Sequence, residues 1–104
     1  MGIYNVDISS VAEIDLREII QYISNQFSAP TTAMEMLNAM ENAIFSLSEF
    51  PQRFPLVGDE RLFQLGIRKL TVKNYLVFYS IDEEGQTVNF IRILYARRNW
   101  LRIL

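Results

Sequence analysis

The chain has 104 residues, half of them hydrophobic and about a fifth charged, which suits one folded domain over residues 1–104 and excludes a disordered or low-complexity segment. It contains no cysteine and no histidine, which excludes disulfides, thiolate zinc sites, cysteine nucleophiles and every Ser-His or Cys-His arrangement. The net charge of −2 hides an asymmetry: residues 1–66 carry nine acidic and three basic residues, whereas residues 67–104 carry seven basic and three acidic ones, an imbalance that suits an anionic partner.

Residues 3–9 alternate, with Tyr4, Val6 and Ile8 on one side and Asn5 and Asp7 on the other, which predicts a short strand. Ser10 stands three residues before Glu13 in a capping-box pattern. Ala12, Leu16, Ile19, Ile20, Ile23 and Phe27 then follow at helical spacing and predict a helix from about Val11 to Phe27. A second helix begins near Pro30, which is comfortable in a first turn, or at a Thr32–Glu35 capping box. Its stripe is Ala33, Leu37, Met40, Ile44 and Leu47, and it ends near Ser48. The short link between two amphipathic helices predicts an antiparallel hairpin.

Residues 49–66 carry Phe50-Pro51 and Phe54-Pro55, and read as an ordered loop pinned by its phenylalanines, with one helical turn near Asp59–Phe63. Beyond them the residues turn β-branched and aromatic. Ile67–Val72, Tyr75–Ile81 and Thr87–Tyr95 predict three antiparallel strands, joined by Lys73-Asn74 and by the loop 82–86. Asn74 and Gly85 are the residues suited to positive φ in those turns. The first strand must join the same sheet to satisfy its backbone groups, which gives an α+β domain with the hairpin on one sheet face. The apolar runs are only a few residues long, so neither a membrane span nor a signal peptide is predicted, and a cytoplasmic location is the expectation.

Three segments give the chain a family likeness: Ala12–Ile23, then Ile67-Arg68-Lys69-Leu70 with Asn74–Tyr79, then Ile91-Arg92-Ile93-Leu94-Tyr95-Ala96-Arg97-Arg98-Asn99-Trp100. In this order they resemble the RelE/ParE superfamily, the toxins of bacterial and archaeal type II toxin–antitoxin pairs. The first-helix pattern is similar to the ParE branch. The last segment resembles that branch's Arg-Ile-Leu-His-Gly-Arg-Arg-Asp run, with Tyr95, Ala96 and Asn99 as departures.

The resemblance implies a RelE/ParE-like fold and a cognate antitoxin partner in a hetero-oligomeric complex, with no cofactor and no metal. For the ParE branch it implies inhibition of DNA gyrase by binding. For the RelE branch it implies a metal-independent endoribonuclease that cuts mRNA on the ribosome. Such a nuclease needs a base, an acid and cations for the scissile phosphate. Lys69 falls at a RelE strand lysine and Arg97 at an arginine after the last strand, with Lys73 and Arg98 as possible auxiliaries. Leu76 stands where a further arginine is expected, and the C-terminal tyrosine has no counterpart. Losing such groups typically costs about two to three orders of magnitude in rate each, so the ParE-like reading is preferred. A third reading is a non-toxic module kept in complex with its antitoxin.

The target- or antitoxin-binding candidates are Arg68, Lys69, Lys73, Arg92, Arg97 and Arg98. Arg68 and Lys69 alternate on a strand, so only one faces a groove. Arg92, between Ile91 and Ile93, is expected on the face opposite to them, where an acid of the hairpin competes with an outside partner for it. Tyr75, Tyr79 and Tyr95 read as packing residues and Trp100 as an anchor for the tail.

Overall fold

The computed structural model describes residues 3–26 and 28–104, so the expected place of Phe27 on the first helix lies outside the described residues. The chain runs β1 (Asn5–Ile8), α1 (Ser10–Gln26), α2 (Pro30–Ser46), a 3₁₀ turn (Pro51–Arg53), α3 (Glu60–Gln64), β2 (Arg68–Val72), β3 (Tyr75–Asp82), β4 (Thr87–Tyr95) and α4 (Trp100–Ile103). The four strands form one sheet in the order β1-β4-β3-β2. The β2–β3 and β3–β4 pairs are antiparallel, whereas β1 lies parallel to β4, with Ile8 opposite Phe90. A parallel pair needs a crossover, and the rest of the chain supplies it.

Helix α1 is capped one residue earlier than the Ser10–Glu13 pattern predicts. The Ser9 side-chain oxygen accepts from Ala12 N–H at 3.0 Å, and its hydroxyl donates to the Ile91 carbonyl at 3.0 Å. Ser9 thus caps the helix and ties its start to β4. Helix α2 starts with Pro30 at its first position and has no side-chain cap, so the Thr32–Glu35 box is unused. It buries Met36 where the expected stripe has Leu37, which is only half-buried.

The sheet is buried on both faces. Val77, Tyr79, Val88, Phe90 and Ile93 pack under the hairpin with Ala12, Ile23, Met36, Met40 and Ile44. Leu76, Phe78 and Leu94 point the other way and pack with Val57, Leu62 and Ile67. Two-sided burial explains why Leu76–Tyr79 is a continuous apolar run rather than an alternating one. The second face is covered by α3 and the loop before it, and by α4, whose Trp100 ring lies 5.2 Å from that of Phe78. Helix α3 follows Asp59, which accepts from Leu62 N–H at 3.1 Å.

The phenylalanines do not pin the 49–66 loop as expected. Phe50 and Phe63 are mostly exposed, and Phe54 is half-buried. Pro51 is buried, and its carbonyl accepts the fully buried Tyr79 hydroxyl at 2.7 Å. Arg68 donates to the Gln52 and Phe54 carbonyls at 3.0 and 2.6 Å. Arg53 donates to the Ser46 carbonyl at the end of α2 at 3.3 Å and to the Glu49 carbonyl beyond it at 2.6 Å. Carbonyls of an irregular segment lack ladder partners, and these polar side chains provide them.

The turns also differ in detail. Positive φ falls at Lys73 rather than Asn74, and at Gln86 rather than Gly85. At Gly85 a Cβ would lie 2.5 Å from an Asp82 side-chain oxygen, so that carboxylate would have to shift to admit one. Beside this loop, Tyr4 donates to Glu83 at 2.6 Å, and Gln52 Nε2 donates to Tyr4 Oη at 2.9 Å and to Glu83 Oε2 at 3.1 Å.

Candidate functional site

The six basic candidates divide by what β-structure does with them. Arg68 and Lys69 alternate on β2, as expected. Arg68 turns to the loop carbonyls, and that hydrogen bonding makes it a structural residue here. Lys69 turns to the second sheet face, where its ammonium lies 5.1 Å from the centre of the Trp100 ring, a cation–π contact. The expected role of Trp100 as tail anchor matches its packing on Phe78.

Arg92 is half-buried. Its Nε donates to Asp15 Oδ2 at 2.8 Å and its Nη2 to Asp15 Oδ1 at 2.9 Å, while Ile93 N–H donates to Asp15 Oδ2 at 2.9 Å. Hydrogen bonding to Asp15 raises the Arg92 pKa against the opposing effect of burial. The hairpin acid therefore takes this arginine. The expectation that Ile91 and Ile93 share a face fails because β4 has a bulge. Phe78 stands opposite Arg92 and Tyr79 opposite Phe90, which leaves Ile91 as the extra residue. Ile93 consequently packs under the hairpin and Ile91 against the other cluster.

Lys73, Arg97 and Arg98 are exposed, and among the described residues none has a side-chain hydrogen bond or an ion pair. They come together at one end of the sheet. Lys73-Asn74 is the β2–β3 turn, Arg97 and Arg98 follow β4, and the two segments are joined by Ala96 N–H donating to the Asn74 carbonyl at 2.9 Å. Lys69 stands opposite Phe78, three residues further along β3 than the Tyr75–Tyr95 pair that Arg97 follows. The two residues proposed for nuclease chemistry therefore sit at different levels of the sheet.

The same end holds a cleft of about 700 Å³ between α1 and the end of β4. Ile19, Ile23, Met36 and Ile93 form apolar wall, and Asp15, Glu18, Asn74 and Arg98 add polar groups. Tyr22, Tyr75 and Tyr95 also line it, and the Tyr75 and Tyr95 rings meet edge-on with centroids 5.7 Å apart. Burial, then the neighbouring Tyr22 and Tyr95, raise the Tyr75 pKa. The cleft was not legible in the sequence, because Tyr22 is on α1 and the other two tyrosines are on separate strands. No group of three or more metal-ligating side chains occurs among the described residues, and no described helix is long and apolar enough to cross a membrane.

The fold is shared with solved chains of toxin–antitoxin systems. One belongs to the chromosomal ParDE system of P. aeruginosa, with TM-score 0.74 and 15% identity, covering 91% of this chain and 98% of that one. Another belongs to the RelBE2 toxin–antitoxin complex of Mycobacterium tuberculosis, with TM-score 0.66 and 24% identity, covering 89% and 98%. The fold is thus that of the RelE/ParE superfamily. Residues 6–100 match the family described as the ParE toxin of the type II toxin–antitoxin system parDE, and the chain belongs to that family. No curated protein matches it in sequence.

Proposed function

We propose that this ParE-family toxin acts by binding DNA gyrase, has no ribonuclease activity of its own, and is neutralised by a cognate antitoxin. The observation that carries the choice is the state of the second sheet face. A nuclease of the RelE kind would need that face open and cationic around Lys69. Here Leu76, Phe78 and Leu94 fill it, with Trp100, Ile103 and Leu104 packed over them. Lys69 is committed to the Trp100 ring. An apolar, closed surface offers a scissile phosphate neither cations nor a proton donor.

The antitoxin reading rests on the family and on the cleft. A peptide segment that folds onto the toxin needs an apolar seat with a few polar groups to fix its register, and the cleft between α1 and β4 has both. The inhibitor acts in the cytoplasm, where gyrase is.

The test is purified full-length chain titrated into a gyrase supercoiling assay, alongside a ribosome-programmed mRNA cleavage assay. Inhibited supercoiling with intact mRNA is expected. Cleaved mRNA that disappears in Lys69→Ala and Arg97→Ala variants would replace this reading by the endoribonuclease one. In cells, induction should stop pulse-labelled DNA synthesis before protein synthesis.

A further inference from the structure

Phe50 is held in a conformation that phenylalanine does not favour. Its φ is 48° and its ψ 56°, the left-handed region where a Cβ crowds the following carbonyl, and a proline such as Pro51 ordinarily pushes the residue before it to extended backbone. The other described non-glycine residues with positive φ, Ser28, Lys73 and Gln86, are polar. Phe50 is fixed from both sides. Arg53 Nη1 donates to the Glu49 carbonyl at 2.6 Å and to the Phe50 carbonyl at 3.3 Å, and the buried Pro51 is tied to the Tyr79 hydroxyl. Nothing local offsets the strain, because the ring is 63% exposed. Phe63 and Leu65 are exposed to a similar degree, but Phe63 is helical and Leu65 has φ of −79°, so neither carries this cost. A pinned left-handed corner that turns an aromatic ring to solvent is a preorganised anchor, and strain of this kind gathers at binding surfaces.

The surroundings of Phe50 define what it can dock on. Phe45, in the last turn of α2, is exposed, and so is Ile3, whose neighbour Tyr4 donates its N–H to the Ser48 carbonyl at 2.8 Å. Gln52, bonded to Glu83 at 3.1 Å, brings the acidic 82–84 loop to the same corner. Glu49, Asp82, Glu83 and Glu84 outnumber Arg53 and Arg68, whose guanidiniums are turned to loop carbonyls. An acidic rim repels nucleic acid, an anionic membrane and the same corner of a second copy. It suits a protein surface with an apolar pocket edged by Lys or Arg. We propose that this corner, anchored by the Phe50 ring, is the surface that docks on gyrase, in an apolar pocket with a basic edge. The inference rests on the gyrase reading. The corner lies where the 82–86 loop joins β3 to β4, whereas Tyr75 and Tyr95 of the cleft stand at the other ends of those strands, so the two surfaces share no residue.

The experiment measures binding of the full chain to immobilised gyrase holoenzyme, beside inhibition of supercoiling and a thermal melt of each variant. Phe50→Gly removes the ring and relaxes the backbone. It should melt above the parent yet bind about 30-fold more weakly, as loss of a central anchor does. Phe50→Asn tolerates the left-handed region without offering a ring, and should lose binding to a similar degree. Glu49→Gln with Glu84→Gln should slow association at low salt and not at high salt. Phe63→Ser, an equally exposed ring on an ordinary helical backbone, should bind like the parent. A Phe50→Gly variant that binds and inhibits like the parent, or an equal loss in Phe63→Ser, overturns the assignment of this corner and leaves the gyrase reading standing. Faster association after removal of the two acids does the same. A parent chain that neither binds nor inhibits gyrase refutes the gyrase reading, and this surface falls with it.

Discussion

The Asp15–Arg92 pair gives the sharpest test of whether Arg92 builds the fold or contacts a partner. Asp15 is nearly buried, with 9% of its side chain exposed against 24% for Arg92, and it accepts from two guanidinium nitrogens and one backbone N–H. Removing one member of a fully buried pair typically costs about 3–5 kcal/mol, and of an exposed pair about 1 or less. This pair lies toward the buried end, so Asp15→Ala should cost about 3 kcal/mol. For a domain of this size that lowers the melting temperature by about 12–24 °C. Arg92→Met alone should cost less, because the remaining Asp15 still accepts from Ile93 N–H. Asp15→Ala with Arg92→Met removes both charges together. It should recover part of the loss and leave a residue of about 1–2 kcal/mol from the orphaned Ile93 N–H. Urea unfolding of the four proteins in the cycle measures this directly. A coupling below about 0.5 kcal/mol would refute the structural assignment. A double variant that is stable, yet no longer toxic and no longer able to bind antitoxin, would return Arg92 to the list of binding residues.

Other expectations are briefer. The hydrogen bond from Tyr4 holds the Glu83 carboxyl below its usual 4.5, and the same bond raises the Tyr4 hydroxyl above 10.0. Glu83 therefore adds stability above the unfolded-state pKa and loses it as pH falls through the folded one. Tyr4 adds stability below its unfolded value and loses it as pH rises through the folded one. Glu83→Gln should be less stable than the parent near neutral pH, with the gap closing in acid, as read by urea midpoints at several pH values. Phe50 holds φ at 48° with its ring 63% exposed, so Phe50→Gly should gain about 1 kcal/mol, and a loss in thermal melts would sink the strain argument. Tyr79→Phe leaves the buried Pro51 carbonyl without its donor and should cost about 1–2 kcal/mol in urea unfolding; a neutral outcome would mean that another donor replaces it. Trp100→Ala removes a half-buried ring from Phe78 and should cost about 2 kcal/mol in the same assay, with no cost meaning that α4 is not held as described.

Periodicity made most elements legible. The helical stripes, the 4-residue alternation of β1 and the β-branched runs of the meander depend on local spacing, and the structure places elements at each. The misses share a cause. Capping by Ser9 depends on the Ile91 carbonyl, which is 82 residues away. The bulge at Ile91 adds a residue to β4 without any local sign of it. Alternation therefore put Ile91 and Ile93 on one face, whereas the hairpin acid expected near Arg92 is there as Asp15. The loop after α2 carried phenylalanines that pattern reading took for anchors, whereas arginines and a tyrosine hydroxyl hold its carbonyls. Such bonds join distant parts of the chain and leave no periodic signal.

The charge asymmetry shows the same limit from the side of function. Seven cations in the C-terminal third suggested one basic surface, but the fold does not use them as one. Arg68 and Arg92 serve the interior, Lys69 lies against Trp100, and Arg102 sits apart on α4. Lys73, Arg97 and Arg98 remain exposed at one end of the sheet. A cation without an internal partner is the residue whose presence folding does not require, so it carries more functional information than the total. Net charge could not have separated Arg68 and Arg92, which have acceptors inside the fold, from the exposed Lys73, Arg97 and Arg98, which have none among the described residues.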